Sequence, residues 1–211
     1  MTTTIQPHDV LVVVDMQYDF LPGGSLAVSG GDEIVPLINT LARKFTNVIL
    51  TQDWHPADHI SFASQHEGRQ AYEMIELSYG PQVLWPDHCI WDSHGAKITA
   101  DLDIPHGQLI IRKGYNRTID SYSGFQEADR ETTTGLAGYL NERNAGRLYV
   151  VGLATDFCVG WTAIDAAAAG FDVTVIEDAT RGIDNAGSLS RAWADMAEAG
   201  VGRMMSKDIL G

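Results

Sequence analysis

Five short apolar runs, rich in β-branched residues and too brief for helices, set the limits on the fold. They are VLVVVD from Val10, NVILTQ from Asn47, QLIIRK from Gln108, RLYVVG from Arg147 and DVTVIE from Asp172. A strand that is apolar along its whole length, rather than at alternate positions, has both faces covered, which is the mark of parallel strands packed between helices. Segments with helical spacing lie between the runs: GDEIVPLINTLARKF from Gly31, ETTTGLAGYLNERN from Glu131, FCVGWTAIDAAAAG from Phe157 and SLSRAWADMAEAG from Ser188. The last two close on Gly170 and Gly200, the residue type that ends helices. With GRMMSK near the C-terminus as a sixth short strand, the order predicts a doubly wound α/β sheet, mainly parallel and six-stranded, with helices on both faces. At 211 residues the chain fits one domain, 1–211, and no repeat or linker divides it.

One segment breaks this rhythm. From about 54 to 105 the periodicity fades, Pro56, Pro81 and Pro86 intervene, and five of the seven histidines gather: His55, His59, His66, His88 and His94. A loop so long inside a compact domain is usually functional.

Charge narrows the partners. Fourteen Lys and Arg against 28 Asp and Glu give a net charge of -14, which repels phosphate backbones and anionic lipid, so neither nucleic acid nor membrane is an expected partner. The N-terminal MTTTIQPHDV lacks a basic region and no apolar run reaches membrane-spanning length, so a cytoplasmic location is expected. Cys89 and Cys158 are read as free thiols.

In an open α/β sheet ligands bind beyond the carboxyl ends of the strands. There the first strand ends in Asp15, the second in Asp53 and the third in Lys113, while the fourth leads through GLATDF to Cys158. Cys158 would stand in the first turn of a helix capped by Thr155 or Asp156, where backbone N–H dipoles favour a thiolate. Asp15 is a fitting base and Lys113 a fitting cation, which makes a Cys-Asp-Lys triad. In DWHPADH, Asp53 and His55 are two residues apart and share one side of an extended chain; a third ligand would come from His88 or His59. Oxygen and imidazole donors with open positions suit one divalent ion: zinc first, then iron or manganese. Taken singly, each residue has a blander reading: Cys158 as a small buried hydrophobe, Lys113 as a solvated charge, the histidines as backbone hydrogen-bonders. His8, His66, His94 and His106 are assigned to the surface.

The stretches VVDMQYDFLPGGSLAV, TQDWHPADHISFA, YGPQVLWPDHC, KGYNRTIDSYSGF and VVGLATDFCV, in this order, closely resemble bacterial nicotinamidases (pyrazinamidases) of the isochorismatase-like cysteine hydrolase superfamily. The resemblance spans nearly the whole chain, and DWH with WPxHC is specific to the metal-bearing branch. It implies Asp15, Lys113 and Cys158 as the catalytic triad and Asp53, His55 and His88 as metal ligands, with His59 a further ligand in some relatives. It also implies a cis peptide before Ala154, an oxyanion hole made by the backbone N–H groups of Ala154 and Cys158, and an aromatic box of Phe20, Trp85 and Tyr122. The activity implied is hydrolysis of nicotinamide, and of pyrazinamide, to the acid and ammonia, in NAD salvage. After WPDHC this chain departs from the pattern with IWDSHGAKI, which bears on the lip of the pocket through Trp91 and His94. Two rivals stand beside this reading. One is a metal-independent amidase or isochorismatase-type hydrolase of the same superfamily; the other is a non-enzymatic module binding nicotinamide or a metal. Monomer or homo-oligomer is left open.

Overall fold

In the computed structural model, which describes residues 2–211, the first run becomes β1 (Val10–Val14), buried at every position. Leu11 and Val13 enter one apolar core and Val10, Val12 and Val14 the other, so this strand divides the interior in two. After it come α1 (Val35–Ala42), β2 (Asn47–Asp53), β3 (Met74–Leu77), β4 (Gly80–Val83), β5 (Leu109–Lys113), α2 (Leu136–Glu142) and β6 (Arg147–Leu153). The chain ends with α3 (Gly160–Ala168), β7 (Asp172–Arg181), α4 (Ser188–Glu198), β8 (Gly202–Met204) and α5 (Lys207–Leu210). Six strands form one sheet in the order β5-β2-β1-β6-β7-β8, and every pairing is parallel. Their carboxyl ends therefore share one edge. The order reverses at β1, which pairs with β2 on one side and β6 on the other, and this switch point opens the crevice.

Helix α1 covers the first core through Ile38, Leu41 and Ala42; α2, α3 and α4 cover the second. Two helices start later than their sequence spacing suggests. The ETTTG stretch stays irregular because Thr132 bonds the Asp129 carboxylate (2.7 Å) and Thr134 the Gly124 carbonyl (2.7 Å), a local competition with helix that threonine favours. Likewise residues 32–34 form turns before α1 begins.

The irregular segment is not wholly loop: β3 and β4 pair antiparallel as a small hairpin, Met74 opposite Val83. The rest lies over the carboxyl edge of the sheet, fixed by bridges such as His55 to Ile90 and Phe62 to Trp85. No helix among the described residues is long and apolar enough to cross a membrane.

Candidate active site

Four strand ends supply the centre. Asp15 follows β1 directly, completely buried, with a left-handed backbone (φ 47°) that turns the chain out of the sheet. Its Oδ1 accepts the Thr51 hydroxyl at 2.6 Å, and its Oδ2 lies 2.9 Å from Lys113 Nζ. Register pairs Asp53 with Lys113 at the ends of β2 and β5, and the lysine ammonium also bonds Asp53 Oδ1. The same ammonium donates to the Ser121 carbonyl at 3.0 Å and to Cys158 Sγ at 3.3 Å. Cys158, Asp15 and Asp53 hold their donor atoms within 4.8 Å of one another.

One lysine between two carboxylates drives them apart. Burial raises both, but Lys113 and His55 outweigh it at Asp53 and hold that group well below the carboxylate range. At Asp15 burial prevails over Lys113, aided by the Asp53 charge, and the carboxyl is raised. Asp15 is thus the member fitted to take up a proton. Burial alone would lower Lys113, yet the two carboxylates keep its ammonium well above its ordinary range. Burial also pushes the Cys158 thiol well up, against the pull of Lys113. Water exclusion thus favours the neutral thiol over the thiolate that the helix end would favour, and this suits an arrangement in which a base takes the proton.

The local backbone differs from expectation in one further way. Cys158 sits in a five-residue π turn, Thr155–Val159, ahead of α3, and neither Thr155 nor Asp156 caps it. Asp156 instead accepts the Ile183 and Asp184 N–H groups at 2.9 and 2.8 Å and bonds the Ser188 hydroxyl, tying down the segment after β7. The expected cis peptide between Leu153 and Ala154 is present.

A second group of donors adjoins the first. Asp53 Oδ2 lies 3.4 Å from His55 Nε2 and 3.6 Å from His88 Nε2. The other ring nitrogens face carbonyls, His55 Nδ1 at 2.7 Å from Gly114 and His88 Nδ1 at 2.7 Å from Pro86. Donation to those carbonyls leaves the two Nε2 lone pairs free, the arrangement that orients histidines toward a metal. His55 Nε2 is buried and makes no hydrogen bond. One oxygen and two nitrogens around a common point fit a divalent cation. His59 stands beside His55, ring centroids 4.3 Å apart, but outside this trio; its Nδ1 meets Ser61 Oγ at 2.7 Å and its Nε2 the Ile119 carbonyl at 3.2 Å. Burial and the neighbouring His55 lower its pKa to about 4.

Cys158 of the first group and Asp53 and His88 of the second line a common cavity. Phe20, Trp85 and Tyr122 are among its lining residues; Trp85 Nε1 donates to the Tyr122 hydroxyl at 3.0 Å. The Isochorismatase domain profile matches residues 9–208. The chain belongs to that family. It is 57% identical to the nicotinamidase of Acinetobacter baylyi over 95% of this chain and 94% of the relative. Among solved structures it matches an Acinetobacter baumanii nicotinamidase/pyrazinamidase with TM-score 0.95 and 59% identity, covering 96% of this chain and 98% of that one. It matches the pyrazinamidase of Pyrococcus horikoshii in complex with zinc with TM-score 0.77 and 36% identity, over 94% and 99% of the two chains.

In this family member the sequence reading missed four residues of the cavity wall: Leu26, Asp120, Phe157 and Ile183. Phe157, which packs edge-on against Trp85 (4.8 Å), could have been found as the neighbour of Cys158. The other three sit on loops, where no periodicity points inward. His94 and Trp91 lie outside the cavity lining; His94 stacks on Tyr18 at 4.1 Å, and Trp91 is exposed with its Nε1 on the Trp54 carbonyl.

Proposed function

We propose that this chain is an amidohydrolase that converts nicotinamide, and pyrazinamide, to the acid and ammonia through a thioester on Cys158. The observation that carries the reading is one aromatic cavity lined both by the Cys158 thiol, whose sulfur meets the buried Lys113 ammonium beside Asp15, and by Asp53 and His88 of the adjoining Asp-His-His donor set. Such a cavity fits a flat ring with a reactive carbon at one end and a basic nitrogen at the other. The nicotinamidase and pyrazinamidase names of the relatives, and the zinc in one, support it.

Asp53, His55 and His88 would hold a divalent ion, zinc by the same support; bound there, it supplies a Lewis-acidic anchor for the ring nitrogen and so orients the ring. His59, its ring nitrogens already engaged, keeps a place beside that set. Phe20, Trp85 and Tyr122 sandwich the ring and exclude water. Asp15 takes the Cys158 proton while Lys113 stabilises the sulfur charge as it forms. The sulfur attacks the carboxamide carbon, and the backbone N–H groups of Ala154 and Cys158 receive the oxyanion, contacts of a kind worth about 3 kcal/mol each. Asp15 returns the proton to departing ammonia and then activates the water that hydrolyses the thioester.

Ring geometry tests this. Nicotinamide and pyrazinamide carry a nitrogen meta to the carboxamide; benzamide has none, and picolinamide and isonicotinamide place it ortho or para. Because a misplacement of about 1 Å costs on the order of 100-fold, kcat/KM for the last three should fall at least that far, measured by ammonia release with metal supplied. Benzamide turnover equal to that of nicotinamide would favour the metal-independent rival, and no ammonia from any of the five the binding module.

A further inference from the structure

Charge around the cavity does not balance without a further participant. Lys113 is the only buried lysine or arginine among the described residues, and it is already paired with Asp15 and Asp53. A third carboxylate, Asp120, lines the same cavity and is 2% exposed. Its Oδ1 accepts the Ser121 N–H at 2.8 Å and its Oδ2 the Gln82 side-chain amide at 2.7 Å, both neutral donors. With all three carboxylates ionised, as a cation beside them would hold them, one ammonium leaves two negative charges in a water-poor enclosure, and buried charges are stable only when paired or when they face a metal.

Position says where the balance is made. The Asp120 carboxylate and the rings of His55 and His59 hold donor atoms within 4.8 Å of one another. His55 belongs as well to the Asp53–His88 set, and its Nε2 is the buried nitrogen without a hydrogen bond. Asp120 therefore faces the cation site across His55. It is not needed there as a hydrogen-bond acceptor for the imidazole, since His55 Nδ1 is engaged with Gly114.

We propose that Asp120 is the charge-balancing carboxylate of the cation site: with Asp53 and Asp15 against Lys113 it sets a local charge of minus two, which one divalent ion neutralises. Gln82, on β4, then acquires a purpose, because its amide fixes the Asp120 carboxylate and also reaches the Tyr122 hydroxyl at 3.1 Å, joining the hairpin to both the cation site and the ring wall. The inference rests on the reading of Asp53, His55 and His88 as metal ligands and is independent of which amide is hydrolysed.

The test compares the full-length protein with its Asp120→Asn, Asp120→Glu and Gln82→Leu variants, each stripped of metal and then titrated with zinc against a chromophoric chelator, with melting temperature followed in both states. Asp120→Asn should bind zinc at least tenfold more weakly and, because an unbalanced buried charge is gone, should melt higher than the parent when metal-free. Asp120→Glu should recover most of the affinity. Gln82→Leu, which removes a tether but no charge, should stay within threefold of the parent, and it keeps the question answerable should Asp120→Asn not fold. If Asp120 serves only to anchor the hairpin, metal-free Asp120→Asn melts lower and Gln82→Leu loses as much zinc affinity as the Asn variant; either result overturns the proposal, as does zinc affinity within twofold of the parent in Asp120→Asn. A parent that binds no divalent ion overturns the ligand reading beneath it, and that is visible before any variant is made.

Discussion

Gly114, the residue after β5, is the most exacting position near the donor set. It adopts φ +66°, and a Cβ placed there would lie 2.4 Å from His55 Cε1 and 2.7 Å from His55 Nδ1. Gly114→Ala thus carries two costs. Left-handed backbone costs an alanine roughly 1–2 kcal/mol, and an overpacked core roughly 1–3 kcal/mol more. Opening the contact to an ordinary 3.4 Å displaces the imidazole by about 1 Å. That movement also strains the Nδ1 bond to the Gly114 carbonyl, the kind of support whose loss costs roughly 10–100-fold in metal affinity. The variant should melt about 5–15 °C below the parent, at about 2–4 °C per kcal/mol for a domain this size, and bind zinc at least tenfold more weakly in a chelator competition. Gly138→Ala serves as control: Gly138 lies within α2, nothing stands within 4 Å of the added carbon, and a gain of about 0.5–1 kcal/mol is expected. A Gly114→Ala protein with unchanged melting temperature and zinc affinity would refute the reasoning.

Cys158→Ala should abolish ammonia release yet still bind nicotinate in calorimetry, because the ring is held by groups other than the sulfur; turnover within tenfold of the parent would remove it as nucleophile. Asp15→Asn should approach the same loss, and activity above a tenth of the parent would show that the thiol finds its base elsewhere. His88→Ala should lose stoichiometric zinc measured by elemental analysis, whereas His66→Ala, whose ring bonds only the Ile60 carbonyl, should keep it. Glu127 gives a pH signature: burial, with the charges of Asp129 and Asp120, raises its pKa from 4.5 to about 7, so the folded state holds a proton that the unfolded state releases. Its contribution is intact below pH 4.5 and is lost as pH rises through 7, a change of about 2–3 kcal/mol that Glu127→Gln should remove; parallel denaturation curves for parent and variant at pH 5 and pH 8.5 would contradict it.

The convergence of Asp15, Asp53, Lys113 and Cys158 was legible because parallel strands end on a common edge: once VLVVVD and its counterparts are read as buried strands, the first three stand at that edge, and the strand leading to Cys158 brings the thiol. The hairpin was not legible, since MIEL and GPQV are four-residue strands with a proline in one and only a weak alternation of burial in the other. Asp120 was missed for a different reason. In TIDSY it looks like any loop aspartate, and what distinguishes it, burial beside neutral donors, is a property of the folded chain alone. Helix starts slipped where threonine hydroxyls offered the backbone other partners.

The site divides its labour by element type. Asp15 and Lys113 sit at strand ends and the Cys158 sulfur on the turn that follows one, where the sheet fixes them, whereas Phe20, Leu26, Trp85 and Ile183, which line the cavity, all hang on connecting segments. On the proposed roles, reactivity and choice are inherited separately. Exchanging the segments around residues 18–28, 84–90 and 182–187 for those of another member would redirect such a hydrolase to a differently shaped amide while leaving its proton traffic untouched.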